Sequence, residues 1–177
     1  ITDRERMKTP QPATPPAILA AIKELAGKLG AYDRISVGFP GAVRHGVIET
    51  APNLDPLWKR FRLEEELSAL LKRPARVAND ATVQGYGAIS GKGVELVITL
   101  GTGLGSAIFL DGISLPNLEL AHHPFRHGKT YEELLGQKAL ERDGKKKWNK
   151  RLRKAIPQLF NLFYYDRLLL GGGNTEH

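Results

Sequence analysis

The chain has 177 residues, 41% hydrophobic and 25% charged, with a net charge of +7 and no cysteine. This is ordinary globular usage, enough for one good core or two small lobes, and it excludes a disordered chain. It also excludes a disulfide framework and a thiolate metal site, and no apolar run approaches the roughly 20 residues of a membrane span.

The opening "ITDRERMKTP" is charged where a secretory signal would be apolar, so a soluble, cytoplasmic protein is expected. "TPQPATPP" reads as a rigid extended lead-in. Pro15 or Pro16 then opens a helix with Ile18, Leu19, Ile22, Leu25 and Leu29 as its apolar stripe, stopping near Gly30. "RISVGFPG" predicts a buried strand ended by Pro40 and Gly41, and "VRHGVIET" a hairpin turning at His45 and Gly46. A second helix over "RLEEELSALLKR" precedes the strand "ARVA". Asn79 and Asp80 fall at the junction between that strand and a helix over "ATVQGYGAIS". A glycine-bearing hairpin follows over 95–110, then a polar loop, then helices from Tyr131 and Lys147, with Pro157 predicting a kink or an early end. The strand "RLLL" and the run "GGGN" come last. Strands alternate with helices, so the fold class is α/β.

Two stretches ask for a chemical explanation. In "VITLGTGLGSAIFLDG", residues 97–112, glycines interrupt what are otherwise two apolar strands. A plain hairpin accounts for one glycine or two. Gly101, Gly103 and Gly105 on alternate positions, with Thr102 among them, fit a surface that bares backbone N–H groups toward phosphate oxygens. The pattern is neither a Walker A loop nor a dinucleotide fingerprint, since no Gly-Lys-Ser/Thr follows and a strand comes next.

The second stretch holds the whole excess of charge. Between Lys138 and Lys154 nine basic residues face only Glu141 and Asp143. A solvated helix face and a polyanion-facing patch both fit. "KKKW" begins a helix where cations oppose the macrodipole, which favours an anionic partner. Nucleic acid is not the expected partner, because Trp148 is the single interleaved aromatic and reads as core with Leu152, Leu159 and Phe163. His122 and His123 lack a further ligand at useful spacing, so no metal site is expected there.

"VGFPGAVRHGVIETAPNLD", "VANDATVQGYGA", "VITLGTGLGSAIFLDG", "LPNLELAHH" and "LLLGGGN" occur in the order found in the ROK family of sugar kinases, within the actin and hexokinase superfamily. The likeness is strongest to the polyphosphate/ATP glucokinases. It implies a ribonuclease-H-like fold of two lobes, roughly residues 1–93 and 94–177. It also implies transfer of a phosphoryl group from polyphosphate or ATP to the 6-hydroxyl of glucose or a similar hexose. Asp80 would be the general base. Asn53, Asn79, Glu119 and His122 would bind sugar hydroxyls, with Glu132 as a further sugar ligand and Glu133 nearly as good. Gly101, Thr102 and Gly103 resemble the second phosphate motif, and Gly171, Gly172 and Gly173 the adenosine motif. Lys145, Lys146, Lys147, Lys150 and Arg151 would guide polyphosphate. Mg2+ would accompany the donor, and the cysteine-rich zinc motif of many members has no counterpart, so no zinc is expected.

The resemblance also departs from the family. The Asp-x-Gly-Gly-Thr phosphate hairpin of the first lobe and the closing helices of the second have no match, so the chain reads as truncated at both ends and its fold as incomplete. Ala121 stands where the family has glycine. The exposed sheet edge expected from the missing hairpin suits a homodimer. A catalytically inactive sugar-binding or regulatory module is the alternative reading.

Overall fold

A computed structural model of the chain describes residues 4–52 and 54–176. It divides into two compact units, Ile1–Val83 and Gln84–His177.

In the first unit, helix α1 (Pro15–Lys28) begins at Pro15, whose fixed φ suits a first helical turn. Strand β1 (Ile35–Phe39) leads to β2 (Val43–Arg44) and β3 (Val47–Ile48), which pair antiparallel. The two turn residues, His45 and Gly46, have φ of 51° and 74°, the double positive φ of a tight hairpin. Trp58 ends a short 3-10 turn and is fully buried, its ring 5.1 Å from Phe39 and 5.4 Å from Phe61. Its indole N–H donates to the Ala13 carbonyl at 2.8 Å, which fixes the proline-rich lead-in to this core. Helix α2 (Leu63–Leu71) buries Leu63 and Leu67 in the same cluster. Each such side chain contributes on the order of 1.5–3 kcal/mol. Strand β4 (Ala75–Asn79) runs parallel to β1, with Ile35 opposite Ala75 and Phe39 opposite Asn79. Helix α3 (Asp80–Tyr86) starts where β4 ends. β4 is the only ladder partner of β1 among the described residues.

The division between the two units falls at 83/84, within α3, and leaves Gly85 and Tyr86 in the second unit. The Tyr86 ring meets Phe109 edge-on at 5.0 Å, and its hydroxyl donates to Ser114 Oγ at 2.9 Å. In this unit β5 (Val94–Leu100), β6 (Leu104–Leu110) and β7 (Ile113–Ser114) are successive antiparallel strands. The stretch expected to be a polar loop holds a small hairpin, β8 (Pro124–Arg126) and β9 (Lys129–Thr130). Helices α4 (Tyr131–Leu135) and α5 (Gln137–Phe163) follow, then β10 (Arg167–Gly171). The sheet order is β10-β5-β6-β7, with β10 parallel to β5.

β5 is central, and its near-continuous apolar run is buried on both faces. Its one charged residue, Glu95, is fully buried and accepts from the Ser90 and Gly91 N–H groups at 2.9 and 2.7 Å. Arg167 adds an ion pair at 2.9 Å. These bonds, that from Ser90 foremost, hold the Glu95 carboxyl below its ordinary 4.5.

α5 is broken at Gly144, whose φ of 77° and ψ of 160° lie outside the helix. A second helical segment therefore opens with the lysine run and carries Trp148, Ala155 and Leu159 into the core. Trp148 packs in one cluster with Leu152, Leu159 and Phe163, as the sequence predicts. Pro157 does not end this segment, which continues to Phe163. It sits on an exposed face, where water can serve the carbonyl that proline leaves unpaired. No helix among the described residues is long and apolar enough to cross a membrane.

Candidate functional site

In the first unit the parallel strands β1 and β4 end together at Phe39 and Asn79, so α3 starts at the carboxyl edge of the pair. Asn79 is the cap. Its Oδ1 accepts from the Ala81 N–H at 2.9 Å, and its Nδ2 donates to the Gly41 carbonyl at 3.1 Å. Asp80 is half-buried and uses Oδ1 to accept from the Ala81 N–H at 2.8 Å. Its Oδ2 takes no hydrogen bond among the described residues. The carboxylate is thus held at one oxygen and open at the other, as a general base needs. Gly38 makes room for it: a Cβ there would stand 3.3 Å from the Asp80 Cα. Asn53, the remaining sugar ligand expected here, lies outside the described residues.

In the second unit the β5–β6 turn is Gly101-Thr102-Gly103. Several bonds fix it. The Gly101 carbonyl accepts from the Gln137 N–H at 2.9 Å and from Asn174 Nδ2 at 3.1 Å. Within the turn the Gly101 N–H donates to the Gly103 carbonyl at 3.0 Å. The Leu104 N–H donates to Glu132 Oε2 at 3.2 Å. The glycines therefore divide by cause. A Cβ on Gly103 would strike the Glu132 carboxylate, so packing explains that glycine. A Cβ on Gly101 would meet nothing within 4 Å, so packing does not explain this one. Thr102 is exposed at the tip, and among the described residues the N–H groups of Thr102 and Gly103 have no acceptor. Two successive N–H groups on a pinned turn are thereby left free to donate to an anion's oxygens.

Gly171, Gly172 and Gly173 lie at the same edge, since Gly171 pairs with Thr99 just before the turn. Gly172 has φ of 93°, and the Leu100 backbone occupies the place of its Cβ, so only glycine fits. Side chains on Gly171 or Gly173 would meet open space.

Glu132 and Glu133 have separate tasks. Glu133 Oε2 accepts from the Thr130 N–H at 2.8 Å, and the Glu133 N–H donates to Thr130 Oγ1 at 3.2 Å, a closed capping box for α4. The Thr130 bond holds the Glu133 carboxyl below its ordinary value. Glu132 keeps Oε1 without a bond among the described residues. Glu119 caps and His122 ends a 3-10 turn, with Nε2 of His122 4.0 Å from Oε2 of Glu119 and both side chains exposed. Asn117 had no part in the sequence reading. Its Nδ2 is buried without an acceptor among the described residues, two positions before Glu119. A buried amide donor in that state is uncommon. Its only signal in the sequence is its place within "LPNLELAHH".

Lys145, Lys146, Lys147, Lys150 and Arg151 all lie on the second segment of α5. The structure separates them. Lys147, Lys150 and Arg151 line a groove of about 480 Å³, and Lys145 and Lys146 do not. Asp143 lies in the groove, with Arg142 and Arg151 each at 2.7 Å and Lys147 at 3.3 Å. Hydrogen bonds from Arg142, then Arg151, hold its carboxyl well below the usual range.

The elements make an α/β protein with Asn79-Asp80 where the parallel strand β4 ends and a Gly-Thr-Gly turn where β5 ends. The ROK family pattern matches residues 1–116, and the chain belongs to the ROK family. It is 34% identical over 182 residues to the polyphosphate glucokinase of Mycobacterium tuberculosis, covering 98% of this chain and 68% of that one. The crystal structure of the inorganic polyphosphate/ATP-glucomannokinase of Arthrobacter sp. strain KM matches with a TM-score of 0.86 and 34% identity. That match covers 99% of this chain and 75% of the other. A ROK family glucokinase from Streptomyces griseus, solved with glucose and AMPPNP, shares the fold at a TM-score of 0.69 and 22% identity, over 95% and 74% of the two chains.

Proposed function

We propose that this chain transfers a phosphoryl group from polyphosphate or ATP to the 6-hydroxyl of glucose or a similar hexose, with Asp80 as general base. The observation that carries the reading is the pinned turn whose Thr102 and Gly103 N–H groups have no acceptor and whose Gly101 faces open space. Its relatives, a polyphosphate glucokinase and a polyphosphate/ATP-glucomannokinase, support the same chemistry.

Asp80 Oδ2 takes the proton of the attacking hydroxyl as its oxygen bonds to phosphorus, and the bond from phosphorus to the donor's bridging oxygen breaks. The donor leaves one phosphate shorter. Asn53, Asn79, Glu119, His122 and Oε1 of Glu132 bind the sugar hydroxyls, for which two-ended carboxylates and amides are suited. The Thr102 and Gly103 N–H groups hold donor phosphate oxygens, and Gly171–Gly173 leave room for a nucleotide. Positioning and electrostatics supply nearly all of the rate in such transfers. No three described carboxylates or imidazoles cluster into a metal cage. Mg2+ would need none, since it would be held mainly by donor phosphates and waters, and Asp80 would meet it through Oδ1, leaving Oδ2 for the proton. When bound it neutralises charge on the phosphates. The reading takes the two units as the two lobes of the kinase, working in the cytoplasm. It also has a second copy pairing along the β1 edge.

The test is a transfer assay on this chain with glucose or mannose and with polyphosphate or ATP. Sugar 6-phosphate from either donor supports the proposal. Sugar binding without any transfer would make the chain a binding module instead.

A further inference from the structure

The groove of about 480 Å³ in the second unit is built from three sources of positive charge. The β8–β9 hairpin contributes Arg126 and Lys129, the end of the first α5 segment contributes Arg142, and the second segment contributes the rest. Lys147, Lys150, Arg151 and Lys154 recur at helical spacing, so one face of that segment turns its cations inward to the groove.

Two groups of cations differ in state. Arg142, Lys147 and Arg151 are gathered on Asp143, whose side chain is only 12% exposed, and Arg151 also donates to the Leu134 carbonyl at 3.4 Å. This bonded group is a fixed floor. Arg126, Lys129, Lys150 and Lys154 have no ion pair among the described residues. Glu133 acts on Lys129 electrostatically without forming an ion pair, and like charges brought together with so little counter-charge repel, which an elongated anion relieves. Nucleic acid is the less suited polyanion. Trp148 is buried at 1% exposure, and the one ring lining the groove is the His127 imidazole, so no series of aromatic rings is there for successive bases to stack on. Helix α4 lies between the groove and the proposed phosphate seat. The five-residue helix α4 presents Glu132 to the Gly103 turn and Leu134 to the groove.

We propose, resting on the donor reading above, that this groove anchors the non-reacting phosphates of a linear polyphosphate chain while its terminal phosphate is at the Thr102–Gly103 turn. The floor of bonded cations gives the groove its shape, and the four unpaired cations take the phosphate oxygens. Two residues assigned from sequence alone, Lys145 and Lys146, lie outside it. Two that sequence reading passed over, Arg126 and Lys129, lie within it.

The experiment compares two charge-matched triple variants of the full chain: Arg126→Ser/Lys150→Ser/Lys154→Ser, and the control Lys138→Ser/Lys145→Ser/Lys146→Ser. Calorimetry measures binding of linear polyphosphate of uniform length, and separately of glucose. Circular dichroism melts check that both variants fold. The groove variant should bind polyphosphate at least about tenfold more weakly, since lost charge-assisted contacts are worth about that or more. The control should stay within about twofold, and glucose affinity should be unchanged in both. Equal weakening in both variants, or no polyphosphate binding by the unmodified chain, overturns the proposal. Displacement of polyphosphate by a single-stranded oligonucleotide of equal charge at equal concentration would mark a nucleic-acid surface and also overturns it. Failure of the transfer reading shows separately, as absence of sugar phosphate from the unmodified chain while groove binding stays selective.

Discussion

Replacing Gly103 by alanine sets a methyl group against Oε2 of Glu132, the atom that accepts from the Leu104 N–H. A flexible carboxylate moves away sooner than the backbone does, so the variant folds but leaves a buried N–H, that of a residue only 6% exposed, without its acceptor. Such a loss costs about 1–3 kcal/mol. For a chain of this length that is a fall in melting temperature of roughly 2–12 °C. Glu132→Ala removes the same bond from the other side. In a double-mutant cycle followed by thermal unfolding, the two losses should overlap, with a coupling energy of about 1–2 kcal/mol. Gly103→Ala should be almost without cost once Glu132 is alanine. If Gly103→Ala costs as much in the absence of Glu132 as in its presence, the carboxylate does not explain this glycine.

Gly38→Ala crowds the Asp80 Cα from 3.3 Å. Turnover should fall about tenfold or more while sugar affinity stays within about twofold, because small misplacement of a reacting group is costly; equal loss in both would refute a positioning role. Glu133→Ala opens the α4 capping box and should cost about 0.5–2 kcal/mol with sugar affinity unchanged, whereas Glu132→Ala should weaken sugar binding, as titrations of both variants will show. Glu95 has a folded pKa below its ordinary 4.5, so its contribution to stability is complete above that pH and is lost as pH falls below it. Melting temperature should drop on acidification from pH 4.5, and Glu95→Gln should flatten that drop; an identical slope in the variant would count against the assignment.

Much of this was legible in the residues. His45-Gly46 announced the β2–β3 hairpin, and the apolar runs on either side of Gly101–Gly103 gave β5 and β6. His127-Gly128 carries the same signal, with φ of 53° and 70°, yet its flanking strands are too short and polar to stand out from a loop in the sequence. Thr130 and Glu133 spell a capping box in the sequence itself, a pattern that separates Glu133 from Glu132. The junction at Asn79 and Asp80 allowed either residue to cap, and only side-chain geometry assigns the cap to Asn79 and leaves an oxygen of Asp80 open. Long-range contacts were not legible at all. Glu132 against Gly103, Leu100 against Gly172, and Arg126 beside Lys150 join positions far apart in the chain, and no local pattern records them.

The measurement that bears most directly on the account is phosphoryl transfer to glucose by Asp80→Asn at sugar concentrations that saturate both proteins. Asparagine keeps the size and the hydrogen-bonding reach of the side chain but cannot take the proton. Transfer should fall by about a hundredfold or more, the usual worth of a general base, with glucose affinity near that of the unmodified chain. Equal turnover in the two proteins would contradict the account.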